Sequence, residues 1–438
     1  MNFRISPLVF GALAFGSAGL FVTAVPAGAA EAAASATSTP AVDSSQFEIP
    51  ATDDGLPGSG PIRRYDWFKN LWKERRFGWS KRVQQDQNAL VLLGDSITQG
   101  WGDVASSLPG IKTANRGISG DTTRGVLIRL KEDVLSLNPR GVVLLIGTND
   151  LEEQAEPEVI AGNLKLIIAA LREHNANMPV VLCRVMPSSA EKKRPADKIK
   201  KINQLYAEAM RDQPQVTMLD TWALFADAKG DAPAAEFPDL LHPNSLGYGR
   251  WLKALRPILE TLALAPSWAD DFAPEAGFAS LHNGRDLSGW SYPEGTSLDG
   301  KTATDDGRFR SVNGRIVVTV ARTQNDYKKL WTTKKFPKDF VLKLEFRASP
   351  NADSGIFVRE PQLQCRDYLI AGPFTQLKHY RPLDWNEVVI TVKGGLAHAT
   401  CNGEVLVDAF TVPATGSIGF ESDHGQMEYR RIRIKEQP

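Results

Sequence analysis

VLLGDSITQGW, residues 91–101, runs from an apolar stretch straight into Gly94-Asp95-Ser96. One reading is a plain turn, since Gly, Asp and Ser all favour turns. The other is a nucleophilic serine at the carboxyl end of a buried strand, where an open α/β sheet gathers its ligands. The tripeptide does not decide between them. Partners for Ser96 elsewhere in the chain do.

Outward from this stretch, residues 89–264 alternate in pattern. ALVLLG, GVVLLIG, PVVLCRVMP and QVTMLD are short apolar runs of the kind that form strands buried on both faces. IKTANRG supplies a shorter strand between the first two. Amphipathic segments near 122–136, 157–175, 196–211 and 245–264 predict helices, the first with Asp121 as its N-cap. Such alternation implies a parallel sheet with helices on both faces, built from right-handed crossovers. Ahead of it, residues 65–87 place Trp67, Phe68, Leu71 and Trp72 at helical spacing. They predict a helix that packs its aromatic side on the domain and breaks near Gly78.

In a sheet of this kind the informative residues sit at strand ends. The second strand leads into NRGISGDTT, the third ends in Gly147-Thr148-Asn149-Asp150, and the last is followed by FPDLLHPN with Asp239 and His242. A serine hydroxyl is a poor nucleophile without an adjacent base, and His242 can serve as one. A carboxylate must then hold the imidazole in one tautomer. Asp239 lies three residues earlier, on the same side of a helical turn. Backbone N–H groups of Ser96 and Gly120 and the side-chain amide of Asn149 are candidate donors to an oxyanion. Asp95 and Asp150 are read as turn-fixing acids rather than catalytic ones. Trp101 is open between a pocket wall and core. The basic run 191–201, EKKRPADKIKK, is read as a solvated helix start, and His174 as a partner of a helix C-terminus.

The blocks GDSITQGW, NRGISGDTTRGVLIRL, LLIGTNDL and FPDLLHPNSLGY resemble the SGNH (GDSL-type) hydrolase family, most closely the branch of the platelet-activating-factor acetylhydrolase catalytic subunits. The family is named for four residues that here are Ser96, Gly120, Asn149 and His242. The resemblance implies a flavodoxin-like fold and a serine esterase. No cofactor is expected, and no Cys/His spacing resembles a metal site.

The chain has 438 residues, which predicts two domains with tails. Hydrophobic residues make up 42% and charged residues 23%, as in a soluble globular protein. The 51 Lys and Arg balance 51 Asp and Glu, which gives no support for a nucleic-acid partner. Arg4, an apolar run from Leu8 to Val25 and then Ala27-Gly28-Ala29 read as a signal peptide over 1–29. An uncleaved membrane anchor is the alternative. Export, to the periplasm or beyond, is expected. Residues 30–60, rich in Ala, Ser, Thr, Pro and Gly, are read as a disordered linker. The esterase domain is assigned to 61–264 and a second linker to 265–277. Of three cysteines, Cys183 is read as a buried free thiol, while Cys365 and Cys401 are a candidate pair.

Residues 278–438 alternate at period two, with NG and GG turns, and predict an all-β sandwich. FASLHNGRDLSGW, DFVLKLEFRASPNADSGIFVR and GSIGFESDHGQMEYRRIRI resemble the concanavalin-like 3-keto-disaccharide hydrolase domain. That resemblance implies a jelly roll that handles carbohydrate. The family's acidic-x-Gln-x-x-Asp strand is not preserved in recognisable form, although His424 matches its His-Gly. The domain is therefore expected to bind or position sugar. Should it be catalytic, Glu360, Arg366, Asp367 and His424 are the candidates. Trp290, Phe346, Trp385 and Tyr429 are read as core.

The function expected is an exported serine esterase that removes O-acyl groups, chiefly O-acetyl, from carbohydrate. The alternatives are a lipid or phospholipid acyl-ester hydrolase, a bifunctional esterase and 3-keto-glycoside hydrolase, and a binding module with a vestigial esterase. The partner expected is an acylated carbohydrate.

Overall fold

The computed structural model describes residues 44–267, 270–292, 295–319, 327–367, 374 and 376–437. The segments read as signal peptide (1–29) and as the first part of the linker (30–43) lie outside the described residues. Among the described residues no helix is long and apolar enough to cross a membrane.

Five parallel strands form the first sheet: β1 (Leu90–Gly94), β2 (Thr113–Gly117), β3 (Gly141–Leu145), β4 (Val180–Cys183) and β5 (Val216–Leu219). Their order is β2-β1-β3-β4-β5, the flavodoxin-like arrangement, with its switch point between β1 and β3. Successive side chains of a strand face opposite ways. Leu90 and Leu92 therefore join Trp251, Leu255 and Ile258 of helix Ser245–Thr261 on one face. Val91 and Leu93 join Val126, Leu130, Ile160 and Ile202 of helices Thr123–Asp133, Pro157–His174 and Ala196–Met210 on the other. Both faces are covered, which is why the strands read as unbroken apolar runs.

Three local expectations are corrected. The N-cap of helix Thr123–Asp133 is Thr122, whose Oγ1 accepts from Gly125 N at 3.2 Å. Asp121 is instead wholly buried and accepts from Arg129 Nε at 2.8 Å. Helix Asp66–Ser80 runs through Gly78 without a break. Residues 44–60 are not a structureless linker. Asp53 takes Arg124 Nη1 at 2.6 Å, and Ser59 exchanges backbone bonds of 3.0 and 2.8 Å with the buried Asn163 amide. Polar groups in this segment thus serve as partners of two buried side chains.

The second domain is an antiparallel sandwich. One sheet runs Gln362–Arg366, Asp353–Arg359, Ser417–Ser422, Lys328–Thr332 and Trp290–Ser291. The other runs Glu404–Thr411, Leu396–Cys401, Asn386–Lys393, Phe340–Ala348, Met427–Glu436, Arg315–Val318 and Phe309–Val312, with Ala279–Ser280 added against Met427–Glu436. Phe340–Ala348 alternates buried and half-buried residues along its length, as a strand with one face on the core must. Trp290, Phe346 and Tyr429 are buried as expected. Trp385 is half-buried between the guanidinium groups of Arg347 and Arg430, 4.7 and 4.0 Å from its ring centre. Cys365 and Cys401 are both buried free thiols, as is Cys183, so the candidate pair is not a disulfide.

The stretch read as an interdomain linker is anchored. Asp270 and Glu275 pair with Arg431 and Arg433 at 3.0 and 2.6 Å, and Phe272 packs under both guanidinium groups. The two domains also touch. Leu383 joins the core of the first domain, Glu260 reaches Arg315 at 3.4 Å, and Asn351 Nδ2 donates to Asp220 Oδ2 at 3.0 Å.

Candidate active site

Ser96 opens the short helix Ser96–Gly100 directly after β1. The turn is possible because residue 94 is glycine. A Cβ there would lie 2.2 Å from Leu145 O and 2.3 Å from Thr98 Oγ1. Asp95 caps the helix, its Oδ1 accepting from Ile97 N at 2.9 Å. Burial pushes the Asp95 carboxyl up to about 7, against the pull of that N–H. Asp150 is likewise buried. It accepts from Thr123 N at 3.0 Å and Thr123 Oγ1 at 2.5 Å, and burial raises it to about 6. Both acids fix loops, as the sequence suggested.

The segment Phe237–Asn244 carries the two other members. It is a turn rather than the helical turn expected. Asp239 Oδ1 accepts from Leu241 N at 3.1 Å and His242 N at 2.8 Å, and Ser188 Oγ donates to Leu240 O at 2.8 Å. Asn244 then caps helix Ser245–Thr261, accepting from Leu246 N and Gly247 N at 3.0 and 3.1 Å. This turn delivers His242 to Ser96. His242 Nε2 lies 2.9 Å from Ser96 Oγ, and His242 Nδ1 lies 2.7 Å from Asp239 Oδ2. Partial burial works against ionisation of Asp239. The donors of His242 and Leu241 outweigh it and hold the carboxyl down at about 2.

β1 and β2 pair in register up to Gly94 and Gly117, so the residues after each strand lie side by side. Ser119 N donates to Gln99 Oε1 at 2.8 Å, tying the Ile118–Gly120 loop to the Ser96 turn. Gly120 has φ +87°, and a Cβ on it would meet Trp67 Cη2 at 2.6 Å. Both the left-handed backbone and the close approach require glycine there. Asn149 is buried in the helix Thr148–Glu152 that follows β3. Its Nδ2 donates to Asp121 O at 2.9 Å. Ser96, Gly120 and Asn149 thus meet at the carboxyl edge of the sheet, beside the switch point.

One residue here was missed by sequence reading. Arg194, inside the run taken for a solvated helix start, is buried. It donates to Asn149 Oδ1 at 2.9 Å, Thr148 O at 3.0 Å and Glu152 Oε2 at 2.8 Å. Pro195 immediately after it was the available signal, since it separates Arg194 from the helix that begins at Ala196. Trp101, left open above, is core: its ring lies 4.4 Å from that of Trp251.

Such a relay activates a hydroxyl toward an acyl carbon, with donors grouped where negative charge then develops. Residues 92–250 match the GDSL-like lipase/acylhydrolase family model. The chain carries a GDSL-like acylhydrolase domain. The domain is a hydrolase of ester bonds. Among its relatives is the platelet-activating factor acetylhydrolase IB subunit alpha2 of Homo sapiens, 29% identical over 180 residues, which are 40% of this chain and 76% of the relative. Solved structures similar to the acylhydrolase domain include a GDSL-like lipase from Bacteroides thetaiotaomicron, 23% identical with a TM-score of 0.38, covering 44% of this chain and 97% of that one. Another is a mutant acetyl-xylooligosaccharide esterase from Geobacillus Stearmophilus, 20% identical with a TM-score of 0.35, covering 42% of this chain and 97% of that one. Residues 277–435 match the 3-keto-alpha-glucoside-1,2-lyase-like domain.

In that second domain the structure brings together some of the expected residues and not others. Arg366 Nε donates to Asp353 Oδ1 at 2.9 Å, and His424 Nδ1 lies 3.2 Å from Asp423 Oδ1. Backbone bonds of 2.8 and 3.3 Å join Asp353 to His424. Asp367 is buried nearby, accepting from Asn351 N at 3.0 Å. Glu360 does not belong to this group. Asp353 pairs with Arg366 at one end of a hairpin whose turn, at the other end, holds Glu360. Asp353 and Asp423, both missed by sequence reading, offer ligand atoms within 4.8 Å of one on His424. Arg366 already supplies Asp353 with a counter-charge. His424 and Asp423 also line a cleft of about 830 Å³ between the domains, opposite Arg184, Asp220 and Trp222.

Proposed function

We propose that this protein is an exported serine esterase that removes O-acyl groups, chiefly acetyl, from carbohydrate. The single observation that carries the catalytic part is the continuous relay from Ser96 Oγ through His242 to Asp239, with contacts of 2.9 and 2.7 Å. Ser96 Oγ attacks the ester carbon as His242 Nε2 takes its proton. Asp239 holds Nδ1–H and stabilises the imidazolium that forms. The carbonyl oxygen becomes an oxyanion, met by the N–H groups of Ser96 and Gly120 and by Asn149 Nδ2. His242 then protonates the leaving alcohol, leaving an acyl-serine. Water, deprotonated by the same imidazole, releases the acid and restores Ser96.

Acetyl is the acyl group suggested by the acetylhydrolase relatives. Carbohydrate is suggested by the glucoside-acting family that the second domain matches. That domain is assigned the task of holding sugar near the esterase. Export rests on the charged, apolar and small-residue sequence of 1–29. The test is Ser96→Ala. Ester hydrolysis and covalent labelling by an organophosphonate should both vanish while the thermal transition is kept. Undiminished turnover by this variant would overturn the mechanism.

A further inference from the structure

Helix Asp66–Ser80 buries Phe68, Trp72 and Trp79 against Ile118, but it does not bury every aromatic at its start. Trp67 is 52% exposed and the preceding Tyr65 is 53% exposed. Isolated exposed aromatics need no explanation. These two are neighbours, with ring planes within 9° of parallel and centres 6.4 Å apart. One of them ends against Gly120, whose N–H is assigned to the oxyanion.

The pair is also held in place. Arg63 is buried and donates Nε to Glu153 at 2.7 Å and Nη2 to Glu152. Tyr65 Oη stands 3.4 Å from both carboxylate oxygens of Glu153. Glu152 in turn receives Arg194, the residue that orients Asn149. The start of the helix is therefore fastened to the same charged network that sets the oxyanion donor.

We infer that Tyr65 and Trp67 form the platform on which the sugar ring of the ester's alcohol portion lies. This inference rests on the esterase reading above. An acetyl group occupies little space beyond the oxyanion donors, so what reaches Trp67 is the rest of the ester. An aromatic face carries negative charge density and attracts the partly positive C–H bonds on one side of a pyranose. The ring's hydroxyls point outward from its edge and need polar partners. Glu152 and Glu153, whose side chains are partly exposed, stand beside the aromatic pair to supply them. An acyl chain or lipid tail would need apolar walls instead, and burying those charges under hydrocarbon would be costly.

The test compares glucose pentaacetate with ethyl acetate, which share the acetyl group and differ in the alcohol. In the full chain, Trp67→Ala and Tyr65→Ala should each lower the ratio of kcat/KM for the sugar ester to that for ethyl acetate, by about tenfold for Trp67. The loss should fall mainly on KM for the sugar ester, and Trp67→Phe should keep part of the preference. A merely structural role would lower both substrates together and leave the ratio unchanged, which would overturn the platform. So would a selective loss on vesicles of an acetylated ether phospholipid, since the occupant would then be lipid. Tyr65 does not support Gly120, so its variant reads the platform even if Trp67→Ala misfolds. A wild-type chain inactive on both esters would instead overturn the esterase reading itself.

Discussion

Arg194 donates from Nη2 to Asn149 Oδ1 at 2.9 Å, and this contact, with that of Nδ2 to Asp121 O, fixes the orientation of the Asn149 amide. With Oδ1 occupied by a cation, the amide presents its NH2 group to Asp121 O at 2.9 Å. Arg194 is itself buried. It is a positioning residue whose effect passes through Asn149.

Asn149→Ala should lower kcat by roughly 10²–10³ with a smaller change in KM, because the donor acts chiefly in the transition state. Arg194→Lys keeps the charge but loses the fork, and should lower kcat about tenfold. The double variant should be no slower than Asn149→Ala alone, because the two act through one group. Full additivity of the two losses in steady-state kinetics would show that Arg194 acts by another route.

Asp239→Asn should leave the fold intact and reduce kcat by roughly 10³–10⁴, since an amide permits the wrong imidazole tautomer. The carboxyl of Asp239 is held down at about 2. Its contribution to stability is present above its unfolded value near 3.8 and is lost as pH falls through about 2. Activity lost between pH 6 and 4 therefore does not belong to titration of Asp239. The pH–rate profile of the wild type checks this: its acid limb should not coincide with titration of Asp239 at about 2.

Asp95 shifts the other way. Burial raises its carboxyl to about 7, so the folded chain keeps a proton that the unfolded chain releases near 3.8. Folding is thus favoured at the acid end of this window and loses that advantage as pH rises from about 4 to 7. Asp95→Asn cannot titrate. The fall in Tm between pH 5 and pH 8 should be smaller in this variant than in the wild type, by several degrees on the scale expected for about 2–3 kcal/mol. Equal slopes in calorimetry at the two pH values would refute the assignment.

Removal of residues 44–60 should cost stability. It strips Asp53 from Arg124 and the Ser59 backbone from Asn163, both buried. A buried polar group left unpaired costs about 1–3 kcal/mol. A chain beginning at residue 61 should therefore unfold roughly 5–10 °C below one beginning at residue 44. Coincident melting curves would mean that these contacts are not formed in solution.

Much of this protein is legible in its sequence for a local reason. Apolar runs and amphipathic periods mark strands and helices because the chain's own geometry puts i+2 or i+3 and i+4 neighbours on one face. The parallel sheet, the sandwich and the four blocks around Ser96 are visible in that way, and strand ends are where such a sheet brings distant blocks together. What the sequence leaves open is which distant group answers each polar side chain. Asp121 looks like a cap, but in the fold it meets Arg129. Residues 44–60 look unstructured by composition, but Arg124 and Asn163 wait for them. Arg194 looks like one more solvated cation, yet the fold turns it inward, where it donates to Asn149 Oδ1. Trp67 and Phe68 are both aromatic and adjacent, and only the packing of helix Asp66–Ser80 on Ile118 sends one ring into the core and leaves the other half exposed. Period fixes the faces of an element, whereas pairing across tens of residues depends on where those faces land.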